Sequence, residues 1–141
     1  MKKKTVKCIL LVAVVIFVFI LILSIYNNLF AGGESLRYKD INKHKLTNNE
    51  INSVKDKVNE LDNIKDIDVY IDSKIIKIVI KLEEDINFED IQNKANEVIS
   101  SFSEKNIKYY DIEFFVDSLN KKSEIYPQIG YKFKTNETFS W

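Results

Sequence analysis

Ile67-Asp68-Val69-Tyr70-Ile71-Asp72, followed after Ser73-Lys74 by Ile75-Ile76-Lys77-Ile78-Val79-Ile80-Lys81-Leu82, is the stretch in which the side-chain period is two. Ile67, Val69 and Ile71 alternate with Asp68, Tyr70 and Asp72, the pattern of a strand with one face buried and one in water. Ile76, Ile78, Ile80 and Leu82 then form the apolar face of a second strand, with Lys77 and Lys81 opposite. The short gap at Asp72-Ser73-Lys74 joins the two as a β-hairpin. Ile75 and Val79 add apolar groups to the second face, so this strand is expected to be covered in part on both sides.

Upstream of the hairpin the period changes to that of a helix. Thr47-Asn48-Asn49-Glu50 is a capping box, in which the Thr47 hydroxyl accepts from the Glu50 amide while the Glu50 carboxylate reaches back to the cap. Ile51, Val54, Val58 and Leu61 follow on one face, and Asp62-Asn63 closes the helix. Downstream, Asn87 is a second N-cap with Glu89 and Asp90 in the first turn, where carboxylates suit the helix dipole. Phe88, Ile91, Ala95, Val98, Ile99 and Phe102 make one continuous helical stripe that Lys105-Asn106 ends. Tyr109 to Val116 reads as a third strand with Tyr110, Ile112, Phe114 and Val116 inward. After a polar loop, Ile129, Tyr131 and Phe133 alternate with Gln128, Gly130, Lys132 and Lys134 as a fourth. Pro127 places that strand at a sheet edge, because proline has no amide to donate. The order α-β-β-α-β-β, with one apolar stripe per helix and one apolar face per strand, predicts a small α+β two-layer sandwich over residues 47–141.

Working toward the N-terminus, residues 27–46 carry no periodic pattern and read as a juxtamembrane stalk. Before it, Cys8 to Tyr26 is a run of 19 residues without a charge, close to the ~20 that a helix needs to cross ~30 Å of hydrocarbon. Residues 8–26 are therefore expected to be a transmembrane helix. Lys2, Lys3, Lys4 and Lys7 in the tail of residues 1–7 place that end in the cytoplasm by the positive-inside rule, and the C-terminal domain outside. A signal peptide cleaved after Ala31 is the competing reading, but the apolar run is longer than the ~7–15 residues of a signal core.

The formal net charge of zero averages two unlike parts. The first 33 residues hold four lysines and no acid, so the remainder holds 17 basic and 21 acidic groups. A mildly acidic domain is a poor partner for nucleic acid. One cysteine excludes an internal disulfide and a multi-thiolate zinc site, and three glycines leave no phosphate cradle. The single histidine, His44, reads as a solvated linker residue with no oriented partner. The acidic stretch Glu83, Glu84, Asp85, Glu89, Asp90 lacks the spacing and glycine of a calcium loop and is explained by the helix N-terminus. No metal, cofactor or catalytic site is expected. The remaining enzymatic option is a carboxylate site drawn from Glu83, Glu84, Asp85 and Glu113.

The segments Ile67–Ile71, Lys77–Leu82, the helix to Phe102 and Tyr110–Val116 together resemble two groups of small domains: the alkaline-shock proteins of Gram-positive bacteria, and the BON and ring-building domains of cell-envelope assemblies. That likeness covers about 50 of 141 residues and implies a non-enzymatic envelope role through self-association or partner binding. Heavy use of Ile and Asn, and 20 lysines to one arginine, fit an AT-rich Gram-positive genome. Phe139 and Trp141, beyond the last strand, either tuck onto the domain or join an exposed contact surface. The surface expected to bind a protein partner or a second copy is Ile129, Tyr131, Phe133, Phe139 and Trp141. The alternative is a sensor holding a small ligand between helix and sheet.

Overall fold

The computed structural model describes residues 3–29 and 38–141, with side chains described for 12–25 and 38–141. The chain divides into two compact units, Met1–Lys39 and Asp40–Trp141. The first holds one helix among its described residues, α1 (Lys3–Leu29). Its described side chains are exposed and, apart from Ala13 and Ser24, bulky and apolar, among them Val15, Phe17 and Phe19. Among the described residues no helix is long and apolar enough to cross a membrane. Of the predicted span, only the middle falls within the described side chains. The junction at Ala31, stalk residues 30–37 and the side chains of the basic tail lie outside the described residues.

The second unit opens with a 3-10 turn, Ile41–Lys43, and continues through α2 (Asn48–Val58), β1 (Ile64–Asp72), β2 (Ile75–Leu82), α3 (Phe88–Val98), a second 3-10 turn (Ile99–Ser101), α4 (Glu104–Ile107), β3 (Asp111–Ser118) and β4 (Gln128–Lys132). It is an α+β fold with one four-stranded sheet in the order β1-β2-β3-β4. β1 and β2 form the expected antiparallel hairpin, and Ser73 takes the turn with a positive φ of 60°. β3 lies parallel to β2, and β4 runs antiparallel to β3. A parallel neighbour needs a crossover of a dozen residues or more, which α3 and α4 supply.

Alternation decides which side of the sheet is core. Ile67 and Val69 of β1, Ile76, Ile78, Ile80 and Leu82 of β2, and Ile112, Phe114 and Val116 of β3 are buried on one face. Val54 and Val58 of α2 and Ile91, Ala95 and Val98 of α3 join them in one apolar cluster. Each fully buried aliphatic side chain contributes ~1.5–3 kcal/mol relative to exposure, so this cluster is the chief source of stability.

Four local expectations are corrected. α2 stops at Val58, and Asn63 rather than a longer helix turns the chain, with φ at 57°. The stripe from Phe88 to Phe102 is not one helix: it ends at Val98, passes through a 3-10 turn, and Phe102 is extended before α4 starts. The cause is Glu50. Its carboxylate accepts from the Ser103 amide at 2.8 Å and the Asn106 side chain at 3.0 Å, pinning the new helix start beneath α2. Residues 40–46 belong to the domain rather than to a stalk, for Ile41 and Leu46 pack against the core. His44 stacks on Tyr109, with ring centroids 3.8 Å apart and planes 3° from parallel, so it is no solvated linker.

The fourth correction concerns β4, whose face is inverted. Gly130 and Lys132 point to the core side, while Ile129 and Phe133 are 54% and 52% exposed. The volume that β4 fails to fill is taken by the chain beyond it. Ser140 pairs with Tyr131 through two backbone hydrogen bonds of 2.8 and 3.0 Å. This return places Phe139 against Phe114, at 5.8 Å between centroids, and Trp141 against Phe88, at 5.1 Å. A Cβ on residue 130 would lie 2.7 Å from the Trp141 ring. The glycine is therefore the seat of the indole, a close approach that only hydrogen permits.

Candidate functional site

With α2 and α3 on one side, the other face of the sheet carries no layer from the described residues of the second unit. Strand register sets its composition in rows. Asp68, Val79, Phe115 and Ile129 lie opposite one another across all four strands, and so do Tyr70, Lys77, Glu113 and Tyr131. Asp66, Lys81 and Asp117 form a further row. The apolar residues Ile75 and Val79, expected to be covered, belong to this open face and are half-buried by their neighbours alone.

The face is divided along the strands. On the β4 side, Ile129, Tyr131 and Phe133 run as an apolar ridge, with the Tyr131 and Phe133 rings 4.9 Å apart and Phe115 beside them on β3. On the β1 side stand Asp66, Asp68 and Asp72, all exposed, with Tyr70, 44% exposed, between the last two. Between the two sides Lys77 bridges Glu113 at 3.5 Å and Asp72 at 3.7 Å. Glu113 is the main reason that the Lys77 ammonium is held above its ordinary value, with burial opposing. That pair is partly exposed and adds little to stability, but it fixes two charges at the centre of the face.

Among the residues predicted to bind a partner, the structure keeps Ile129, Tyr131 and Phe133 together on this face. It separates Phe139, which is 8% exposed and part of the core, and Trp141, which lies over Gly130 on the opposite side. The sequence signal for the wider site was present in Ile75 and Val79, whose second-face positions were legible as apolar though not as uncovered.

The carboxylates considered for catalysis do not converge. Glu83, Glu84 and Asp85 line a shallow depression of 460 Å³ with Asn120, beyond the end of β2. Glu113 is held by Lys77 at the opposite end of the β2–β3 pair. Asp85 accepts from the Ser118 hydroxyl at 2.5 Å and from Asn120 at 3.3 Å, and the Ser118 bond leads in lowering its pKa. It is thereby a loop fastener. No group of three or more metal-ligating side chains occurs among the described residues. A second depression, of 340 Å³, is lined by Glu60, Asp62, Asp90, Lys94 and Glu97 among others, where Lys94 is bonded to both Glu60 and Glu97. Around these hollows Glu83, Asp85, Glu60, Lys94 and Glu97 already have partners.

Lys132 is the group that sequence reasoning misplaced. It is 1% exposed on the core side of β4, and its ammonium has only a 3.5 Å contact to the Phe133 carbonyl. Burial pushes its pKa below the ordinary 10.5, with Asp111 partly opposing. The unfolded chain then binds the proton more tightly than the folded one, so stability rises with pH between the lowered value and 10.5. Lys132→Met is expected to stabilise the domain by ~1–3 kcal/mol at neutral pH and to flatten that rise. Denaturant midpoints for both proteins from pH 7 upward would check it, and an unchanged midpoint would refute it.

No known protein family matches this chain, and no curated protein or solved structure matches it either. The uncovered sheet face therefore has to be read on its own chemistry.

Proposed function

We propose that the protein is a single-pass membrane protein with its N-terminus in the cytoplasm. In this reading, residues 40–141 form a non-catalytic extracytoplasmic domain that binds a protein partner at the cell envelope. The observation that carries the binding reading is the uncovered face: monomeric domains seldom leave a sheet unlayered with Phe115, Ile129 and Phe133 in one zone, and such patches mark interaction sites. The dispersed carboxylates support a binding role over a catalytic one. The envelope assignment rests on the pattern-level likeness to small envelope domains, and the anchor on the 19 uncharged residues within α1.

A photo-reactive residue introduced at position 129 or 133 is expected to give a discrete protein adduct in native membranes. The same residue at Lys55, on the helical side, is expected to give none. Equal adducts at both positions, or none at either, would refute the site. For the anchor, the chain should stay in the membrane fraction through alkaline extraction, with the domain digestible only from outside; release into the supernatant would count against it.

A further inference from the structure

We infer that the occupant of the open face is a basic amphipathic segment of another protein, not a second copy of this chain. This rests on the reading that the uncovered face is the binding site. The strands present six acids to that side (Asp66, Asp68, Asp72, Asp111, Glu113 and Asp117) against two lysines, Lys77 and Lys81. Asp66, Asp68 and Asp72 stand on β1, and Asp111, Glu113 and Asp117 on β3. The β1 flank carries Asp66, Asp68 and Asp72, and the β4 flank carries the ridge Ile129, Tyr131 and Phe133.

Two-fold symmetry makes a second copy a poor fit. Sheets that stack aligned, face to face, can be related by an axis across the strands or along them. In the first case β1 lies over β1, and three aspartates face three aspartates, a like-charge juxtaposition that costs several kcal/mol. In the second, β1 lies over β4, and each aspartate row is desolvated against the partner's apolar ridge, which is also unfavourable. Neither arrangement satisfies both flanks. An element with an apolar ridge and Lys or Arg along one side satisfies both at once: its ridge covers Ile129, Tyr131 and Phe133, and its cations reach the acids of β3 and β1. It would lie roughly along the strands.

The probe is a fluorescently labelled leucine–lysine helix with lysines on one flank of its leucine ridge, compared with its glutamate twin. Both are titrated by anisotropy against the full chain in non-ionic detergent, with empty micelles as the blank. The basic helix is expected to bind about tenfold or more tightly than the acidic one, and to weaken as ionic strength rises. Asp66→Asn with Asp68→Asn and Asp72→Asn should remove most of that preference, and these exposed positions leave folding intact. Ile129→Ser with Phe133→Ser should weaken the basic helix as well.

If the two helices bind alike, or the basic one no better than the blank, the inferred charge of the occupant is wrong. Undiminished binding to the triple Asn variant would overturn that charge equally. If binding survives Ile129→Ser with Phe133→Ser, the face is not the site, and the underlying reading falls with it. A defined dimer in sedimentation equilibrium that those two substitutions dissolve would make a second copy the occupant and overturn the inference.

Discussion

Glu50→Gln is expected to cost the domain about 3 kcal/mol at neutral pH and nearly nothing near pH 2. Glu50 is 8% exposed, and its carboxylate takes four hydrogen bonds: from the Thr47 amide at 2.8 Å, the Thr47 hydroxyl at 3.0 Å, the Ser103 amide at 2.8 Å and the Asn106 amide group at 3.0 Å. Burial alone would raise its pKa, but the hydrogen bonds from Thr47 and Ser103 outweigh it and bring the group down from 4.5 to about 2. A carboxylate with a depressed pKa stabilises the fold fully above its unfolded value and loses that contribution as pH falls through its folded one. The window is therefore pH 4.5 down to about 2. Gln presents an NH2 group where the site offers only donors, so a buried donor loses its partner. Denaturant unfolding followed by circular dichroism at pH 7 and again at acid pH would show the two proteins converge. A variant as stable as the parent at pH 7 would mean that Glu50 caps α2 and does nothing more.

Phe139→Ala should cost about 3 kcal/mol, near the low end for aromatic truncation in a core because the site lies at its margin. Phe139 packs against Phe114 and lies 6.1 Å from Trp141, with its amide donating to the Asn96 side chain at 3.2 Å. Trp141 is the one tryptophan in the chain, so its emission reports the return of the C-terminal segment over Gly130. Loss of Phe139 is expected to shift that emission to the red as the indole leaves its seat. Unchanged stability with unchanged emission would show that Phe139 and Trp141 are not part of the packed domain.

The sequence disclosed elements whose periodicity is a local property. The hairpin from Ile67 to Leu82, the capping box at Thr47 and the Asn87 cap are all decided within a few residues, and each appears as read. The fourth strand was misread because its alternation reports chemistry and is silent about direction. Ile129, Tyr131 and Phe133 look like a core face, yet Gly130 faces inward so that a tryptophan eleven positions on can rest there. Only the fold-back at Ser140 reveals that exchange. The break before α4 was hidden for the same reason, since it depends on Glu50 reaching a segment 53 residues away. Of the candidate site, the apolar members were legible and their lack of a cover within the second unit was not: whether a face is covered depends on segments far from it in sequence.

The strands stand side by side in the order in which they are synthesised. A ribosome therefore delivers each one to a neighbour already waiting, and no pairing has to open to admit a later arrival. The costly interval falls between β2 and β3, where the parallel partner arrives only after α3 and α4, and loop closure must be met before contacts repay it. During that interval β2 presents a bare isoleucine-rich edge. The nascent domain is most exposed to wrong strand partners just then, and the arrival of β3 ends the hazard by making β2 an interior strand.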